Sequence, residues 1–130
     1  MKQQLDQITE FHKAFGSEEE PDSPTLSISH KIKELRKTLM KEEFEEVCKA
    51  IDENEPIEDL AKELADLLYV VFGTVKAFGL HDVMEDVYSE VHRSNMSKLG
   101  LDGKPVIRED GKTLKGPNYS PANISPIIKK

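Results

Sequence analysis

The chain has 130 residues, of which 25 are acidic and 18 are Lys or Arg, giving a net charge of −7 at pH 7. Its length suits one domain, so we expect residues 1–130 to form a single domain. The acidic excess argues against binding to nucleic acid polymers or anionic membranes. No apolar run is long enough to span a membrane, and the N-terminus lacks a signal-peptide core, so we expect a cytoplasmic protein.

Apolar residues at helical spacing predict an all-α protein built as a four-helix-bundle-like unit. The predicted helices cover approximately residues 2–15, 27–53, 56–78 and 81–99. The third of these is apolar on several sides, and three companion helices would not cover it fully. We therefore expect a homo-oligomer.

Aromatic and histidine side chains lie on the first predicted helix, at Phe11, His12 and Phe15. They could stack on the base of a small ligand, but aromatic residues at helical spacing are more often buried anchors. The pattern therefore favours core packing.

Residues 100–130 form a predicted tail with little helical pattern. Asp102-Gly103 and Asp110-Gly111 are turn signals on either side of a short Val-Ile run, which predicts a small hairpin. The prolines beyond it predict an extended segment.

Acidic residues three positions apart occur within the second and third predicted helices, as Glu43 with Glu46 and Glu63 with Asp66. Side chains at this spacing are neighbours on a helix surface. Together with Glu42, they lie on or beside the apolar stripes, where a solvated charge face is not expected. Two such helices packed together would supply the oxygen ligands that Mg²⁺ prefers.

An alternative explanation of these glutamates needs no metal. A chain this rich in acidic residues produces such pairs by chance, and the carboxylates could face solvent or pair with Lys33 and Arg36. Spacing alone leaves both explanations open.

Other chemistries have weaker support in the sequence. No histidine follows a glutamate by three residues, so the Glu-x-x-His pairs of a di-iron bundle are missing and a hard divalent ion is favoured over iron. Cys48 is the single cysteine and is expected to be a small buried residue.

Polar side chains gather at the end of the fourth predicted helix. Asn95 and Lys98 share a face and can donate hydrogen bonds to phosphate or sugar oxygens, whereas Arg93 points away from Asn95. Basic residues also occur at helix C-termini because they offset the helix dipole. Both explanations stay open.

These segments resemble the all-α nucleoside triphosphate pyrophosphohydrolases, the MazG-like and phosphoribosyl-ATP pyrophosphatase-like superfamily. Glu42, Glu43 and Glu46 match its Glu-Glu-x-x-Glu element, and Glu63 and Asp66 match its Glu-x-x-Asp element. The sequences that flank these acidic elements also resemble the superfamily. So do three further segments, FHKAFG, EVHRSNMSKLG and DGKPVIREDGKTLKGPNY, so the similarity spans most of the chain.

The resemblance implies hydrolysis of a nucleoside triphosphate, with a dNTP as the expected substrate, between the α- and β-phosphates with Mg²⁺ or Mn²⁺. It implies metal ligands at Glu43, Glu46, Glu63 and Asp66, and Glu42 or Glu43 acting on the attacking water. The implied substrate-binding residues are Asn95, Lys98, Arg93, Lys115 and Tyr119. Family members assemble as dimers or larger oligomers, so a dimer or tetramer is expected. The alternative is a non-catalytic helical oligomer that binds nucleotides or proteins.

Overall fold

The structure is a computed structural model that describes residues 1–17 and 20–129. Within those ranges it contains helices and no extended strand. The helices are α1 (Lys2–Ala14), α2 (His30–Asp52), α3 (Ile57–Ala77), α4 (Met84–Met96) and α5 (Ser125–Ile128). The prediction of an all-α protein is confirmed, whereas the four-helix-bundle arrangement and the homo-oligomer stay predictions.

The chain divides into two compact units, an N-terminal unit of Met1–Asp82 and a C-terminal unit that begins at Val83. The N-terminal unit contains α1, α2 and α3, and the C-terminal unit contains α4 and α5. None of the helices in the described residues is long and apolar enough to cross a membrane. The expectation of a single domain over residues 1–130 stays a prediction.

Helix α3 packs against both α1 and α2 in the N-terminal unit. This central position accounts for part of the apolar surface of α3, whereas Leu64 and Leu68 of the same helix stay exposed. The buried apolar residues are Leu5 and Ile8 from α1, Val47 and Ala50 from α2, and Val75 and Ala77 from α3. The core of this unit is therefore shared by all three helices.

Local signals set the ends of α2. The hydroxyl of Ser29 accepts a hydrogen bond from the backbone N–H of Ile32, so the helix begins at His30 and not near residue 27. At the other end, Asn54 has a positive φ of 50°, and the N–H of Glu55 donates to the carbonyl of Ala50. These contacts end the helix and lead to Pro56, which caps α3.

The segment between α1 and α2 contacts the end of α3. The N–H of Thr25 donates to the carbonyl of Phe78 at 3.0 Å. Gly79 follows with φ of 68°, and its α-carbon faces the backbone of Ser23 so closely that no side chain fits there. This close approach fixes where the segment enters α2.

Three aromatic rings form a cluster on the N-terminal unit. The ring of Phe11 lies 4.6 Å from that of Phe15 and meets Tyr69 edge-on at 5.5 Å. Phe11 is 43% exposed and Phe15 is 74% exposed. The prediction that Phe11 and Phe15 pack in the core was therefore wrong within the N-terminal unit.

The C-terminal unit contains a tight turn in place of a regular hairpin. Ile107 and Thr113 form an isolated antiparallel bridge, and Gly111 occupies the turn with φ of 87°. Further along, the predicted extended tail includes the short helix α5. Helix α4 is also shorter than predicted, because residues 81–83 and 97–98 lie in turns and residue 99 lies in a bend.

The tail is attached to α4 by hydrogen bonds within the C-terminal unit. The buried hydroxyl of Ser94 donates to the carbonyl of Ser120 at 2.8 Å, and the N–H of Ser120 donates to Ser97 Oγ at 2.8 Å. Arg93 pairs with Glu90 and donates to the carbonyl of Pro121 at 3.2 Å. The tail segment at residues 120–121 therefore lies along α4.

Candidate metal centre

Three carboxylates from two neighbouring helices come together in the N-terminal unit. Glu43 on α2 and Glu63 and Asp66 on α3 each offer an oxygen atom, and these oxygens lie within 4.8 Å of one another. All three residues are partly buried. Among the acidic, histidine and cysteine side chains of the described residues, these three lie close enough together to hold a metal ion.

Helix geometry and core packing place these carboxylates. Glu63 and Asp66 are three residues apart on α3, so they share one face of that helix. Glu43 lies one turn before the buried Val47 on α2, in the stripe that faces α3. The helix-to-helix contact that buries Val47 therefore directs Glu43 toward the two α3 carboxylates.

The other two predicted acidic site residues are less enclosed. Glu42 and Glu46 are exposed on α2, and neither belongs to the group of converging oxygens. Glu46 nevertheless lies one turn after Glu43 and contributes to the electrostatic environment of that side chain. The structure therefore brings together three of the four predicted metal ligands.

Burial and negative neighbours make the charge on Glu43 unfavourable. Loss of solvent raises the pKa of Glu43 above its ordinary value of 4.5, and the charges of Asp66, Glu63 and Glu46 raise that pKa further. Lys62 opposes these effects. A cation placed among the three carboxylates would remove the repulsion between them.

A lysine already lies beside the cluster. Lys62 Nζ is 2.7 Å from Asp66 Oδ2 and 3.5 Å from Glu63 Oε1. These contacts raise the pKa of Lys62, mainly through its hydrogen bond to Asp66. Lys62 was not expected to take part in this site, although its position before Glu63 and four residues before Asp66 was visible in the sequence.

The donor set fits a hard divalent cation. Three carboxylates without histidine or thiolate in the group supply oxygen ligands only. Partial exposure leaves room for waters or substrate oxygens in the remaining positions, as Mg²⁺ and Mn²⁺ require. The residues present are therefore suitable for the predicted metal.

The five predicted substrate-binding residues all lie in the C-terminal unit. Asn95 is exposed and Lys98 is partly buried near the end of α4. Arg93 pairs with Glu90, and Lys115 Nζ lies 4.7 Å from the centre of the Tyr119 ring. Their roles with substrate stay predictions.

A second polar feature of the N-terminal unit was missed at the sequence level. Arg36 on α2 is 8% exposed, and its guanidinium donates to Thr74 Oγ1 at 3.2 Å and to the carbonyl of Val70 at 3.0 Å. It therefore does not pair with the glutamates of α2, as one explanation of those glutamates required. Burial lowers its pKa, and the charge of Glu20 opposes that effect.

An open cavity of about 410 Å³ lies beside Arg36. His12 and Glu20 also line it, and Glu20 joins α1 to α3 because it pairs with His12 and with Lys76 at 3.6 Å. The sequence signal for this feature was an arginine within the apolar stripe of α2, four residues after Ile32.

Comparison with known proteins agrees with this architecture. Comparison with curated proteins gives no match to the chain. Residues 8–95, which include α2, α3 and the three converging carboxylates, match the family described as phosphoribosyl-ATP pyrophosphohydrolase. The chain therefore belongs to the phosphoribosyl-ATP pyrophosphohydrolase family, within the MazG-like all-α nucleoside triphosphate pyrophosphohydrolase superfamily.

Proposed function

We propose that this protein hydrolyses a nucleoside triphosphate between its α- and β-phosphates, in a reaction that depends on Mg²⁺. The products are a nucleoside monophosphate and pyrophosphate, and a dNTP is the expected substrate. The observation that carries the proposal is the convergence of Glu43, Glu63 and Asp66 from two packed helices. Membership of a pyrophosphohydrolase family supports the reaction class.

The reaction adds water across one phosphoanhydride bond. The water oxygen attacks the α-phosphorus, and the bond from that phosphorus to the bridging oxygen breaks. Pyrophosphate leaves with the electron pair, and one proton of the water is released. The protein must therefore bind a polyanion, orient a water molecule and accept a proton.

Residues of the N-terminal unit are suited to hold a metal ion, orient the water and accept its proton. We assign Glu43, Glu63 and Asp66 as metal ligands. Glu46, which is exposed one turn later on α2 and outside the converging oxygens, is assigned as a fourth ligand. A cation held by these carboxylates would supply positive charge beside the phosphate oxygens and lower the pKa of a bound water. Exposed Glu42, or Glu43 itself, would orient that water and accept its proton.

Residues of the C-terminal unit are assigned to the substrate. Lys98 and Lys115 carry positive charge, and Asn95 offers amide donors for phosphate or sugar oxygens. Arg93 and Tyr119 are weaker candidates, because Arg93 is paired with Glu90 and Tyr119 lies beneath Lys115.

Self-association as a dimer or tetramer is part of the proposal. Large apolar side chains of the N-terminal unit are exposed on both α2 and α3, among them Phe44 at 57%, Leu64 at 44% and Leu68 at 57%. Contact with a second copy would remove this apolar surface from water. Light scattering at several protein concentrations measures the assembly.

Pyrophosphate release from a panel of substrates tests the reaction. The panel contains canonical dNTPs and NTPs together with phosphoribosyl-ATP, the compound in the family's description, each with and without Mg²⁺. We expect Glu63→Gln and Asp66→Asn to lower the rate by about 100-fold or more, since each removes a charged metal ligand.

Glu45→Gln is the matched control, because Glu45 is an exposed glutamate of α2 outside the carboxylate group. It should retain the wild-type rate. Absence of cleavage across the panel would overturn the proposed reaction and favour a non-catalytic nucleotide-binding oligomer. Equal rates in wild type, Glu63→Gln and Asp66→Asn would overturn the assigned site.

A further inference from the structure

Lys62 places a positive charge at the edge of the three-carboxylate cluster. Its ammonium nitrogen is 2.7 Å from Asp66 Oδ2 and 3.5 Å from Glu63 Oε1, so it contacts two of the three converging side chains. Both contacts are within the range of ion pairs. The ammonium therefore interacts with the same carboxylate groups that are assigned to the metal.

The three carboxylates repel one another when they are ionised and no metal is bound. Their oxygens lie within 4.8 Å of one another and the residues are partly buried, which increases the repulsion between ionised groups. Among the charges that act on Glu43 in the described part of the chain, Lys62 is the positive one.

The position of Lys62 also allows the ammonium to leave. Its side chain is 68% exposed, and its ammonium forms ion pairs with Asp66 and Glu63. A lysine side chain has a flexible four-carbon stem, so it can turn into solvent at little cost when another cation takes the carboxylates. An ammonium 2.7 Å from Asp66 Oδ2 and a divalent ion held by the same carboxylates would repel each other and share the same negative charge.

We propose that Lys62 is a built-in competitor of the metal: its ammonium occupies the carboxylate cluster in the metal-free protein and is displaced when the divalent ion binds. The proposal rests on the assignment of Glu43, Glu63 and Asp66 as metal ligands. Its consequence is that the wild-type chain binds metal more weakly than its carboxylates alone would allow. Lys62 thereby sets the metal concentration at which the site fills.

Calorimetric titration of the metal-free protein with Mg²⁺, and separately with Mn²⁺, tests this in the absence of any nucleotide. Lys62→Gln removes the ammonium but keeps a polar side chain of similar length. An exposed ion pair contributes only modestly, so loss of the Lys62 ammonium should change the affinity for the metal by a small factor. We therefore expect Lys62→Gln to bind metal about two- to fivefold more tightly than wild type.

Lys41→Gln is the matched control. Lys41 is also an exposed lysine that pairs with a carboxylate four residues later, Glu45 at 3.9 Å, but Glu45 is outside the cluster. Both substitutions change the net charge equally, so any effect of overall charge is common to the two variants. We expect Lys41→Gln to leave the metal affinity within twofold of wild type.

Thermal unfolding supplies a second readout that does not depend on catalysis. In EDTA, Lys62→Gln should melt at a lower temperature than Lys41→Gln, because its carboxylates have lost their counter-ion. Saturating Mg²⁺ should close this gap, since the metal then supplies the charge. A gap that persists unchanged in saturating Mg²⁺ would contradict displacement of the lysine.

The outcomes separate this proposal from the proposed function. If Glu63→Gln abolishes metal binding but Lys62→Gln and Lys41→Gln bind alike, the role of Lys62 is overturned and the metal site stands. Weaker binding in Lys62→Gln would also overturn it, because the lysine would then assist the metal. Metal binding that Glu63→Gln leaves unchanged would overturn the ligand assignment and the competition together.

Discussion

The guanidinium group of Arg36 lies against Gly73 of α3, in the space that a side chain at position 73 would occupy. A Cβ atom on Gly73 would lie 3.0 Å from Cζ of Arg36 and closer still to Nη2. The same guanidinium donates to Thr74 Oγ1 and to the carbonyl of Val70. An absent side chain on one helix thus makes room for a buried charge from the other.

Gly73→Ala should destabilise the protein despite the better helix propensity of alanine. The added methyl group displaces Arg36 from its hydrogen bonds, and overpacking of this kind costs about 1–3 kcal/mol. Replacement of glycine by alanine within a helix contributes about 1 kcal/mol in the opposite direction. Urea unfolding at fixed protein concentration should show a net loss of stability.

The sign of this effect should depend on Arg36. In an Arg36→Met background the charged group is gone, so Gly73→Ala should stabilise the protein by about 1 kcal/mol through helix propensity. Identical effects of Gly73→Ala in both backgrounds would show that Arg36 does not require the space above Gly73.

Gly79→Ala should be more damaging than Gly16→Ala. Both glycines have φ of 68°, so alanine carries the same backbone cost of about 1–2 kcal/mol at either position. A Cβ atom on Gly79 would lie 2.7 Å from the carbonyl carbon of Ser23, whereas nothing lies within 4 Å of one on Gly16. The extra loss at Gly79, measured by urea unfolding, should be about 1–3 kcal/mol.

Glu43→Gln should stabilise the metal-free protein at neutral pH. Because the folded-state pKa of Glu43 is raised above 4.5, ionisation of this group favours the unfolded chain at any pH above the folded pKa. That penalty disappears as the pH falls through the folded pKa toward 4.5, so the gain should fade there. Solvent screening limits the gain to below about 1 kcal/mol.

Urea unfolding in EDTA, from neutral pH down to about pH 4, measures the stability gained in Glu43→Gln. Glu45→Gln, on the exposed face of α2, is the control. Saturating Mg²⁺ at neutral pH should reverse the order, since Glu43 is then a proposed ligand. A gain that stays constant down to pH 4 would contradict the raised pKa.

Ser94→Ala should loosen the tail on α4. The buried Ser94 hydroxyl donates to the carbonyl of Ser120, and a hydrogen bond of this kind contributes about 1 kcal/mol. Amide hydrogen exchange at Ser120, whose N–H donates to Ser97 Oγ, should therefore become roughly fivefold faster. Ser89→Ala, on the exposed face of the same helix, should leave this exchange unchanged.

Periodic apolar residues were sufficient to predict α1 to α4, because burial of one face determines where a helix forms. The helix ends were harder to predict, since they depend on single contacts such as the cap from Ser29 to Ile32. The three-residue spacing of Glu63 and Asp66 placed them on one face of α3. Their approach to Glu43 depends on how α2 packs against α3, which spacing alone does not contain.

The role of Lys62 illustrates another limit of sequence reasoning. A lysine four residues before an aspartate is a common surface pair, and nothing in that spacing distinguishes it from Lys41 with Glu45. Only the approach of Glu43 from another helix makes the Lys62 and Asp66 pair part of the three-carboxylate cluster. Likewise, the contact between Arg36 and Gly73 joins residues that are distant in the chain.

The turn between α2 and α3 has a consequence for how proteins of this kind diversify. The turn covers residues 53–56, and Glu43 lies about three helical turns before it, whereas Glu63 lies about two helical turns after it. Insertions or deletions at Asn54 can therefore lengthen or shorten the connection without moving the carboxylates. A chain with several residues inserted at this turn should accordingly still bring Glu43, Glu63 and Asp66 together.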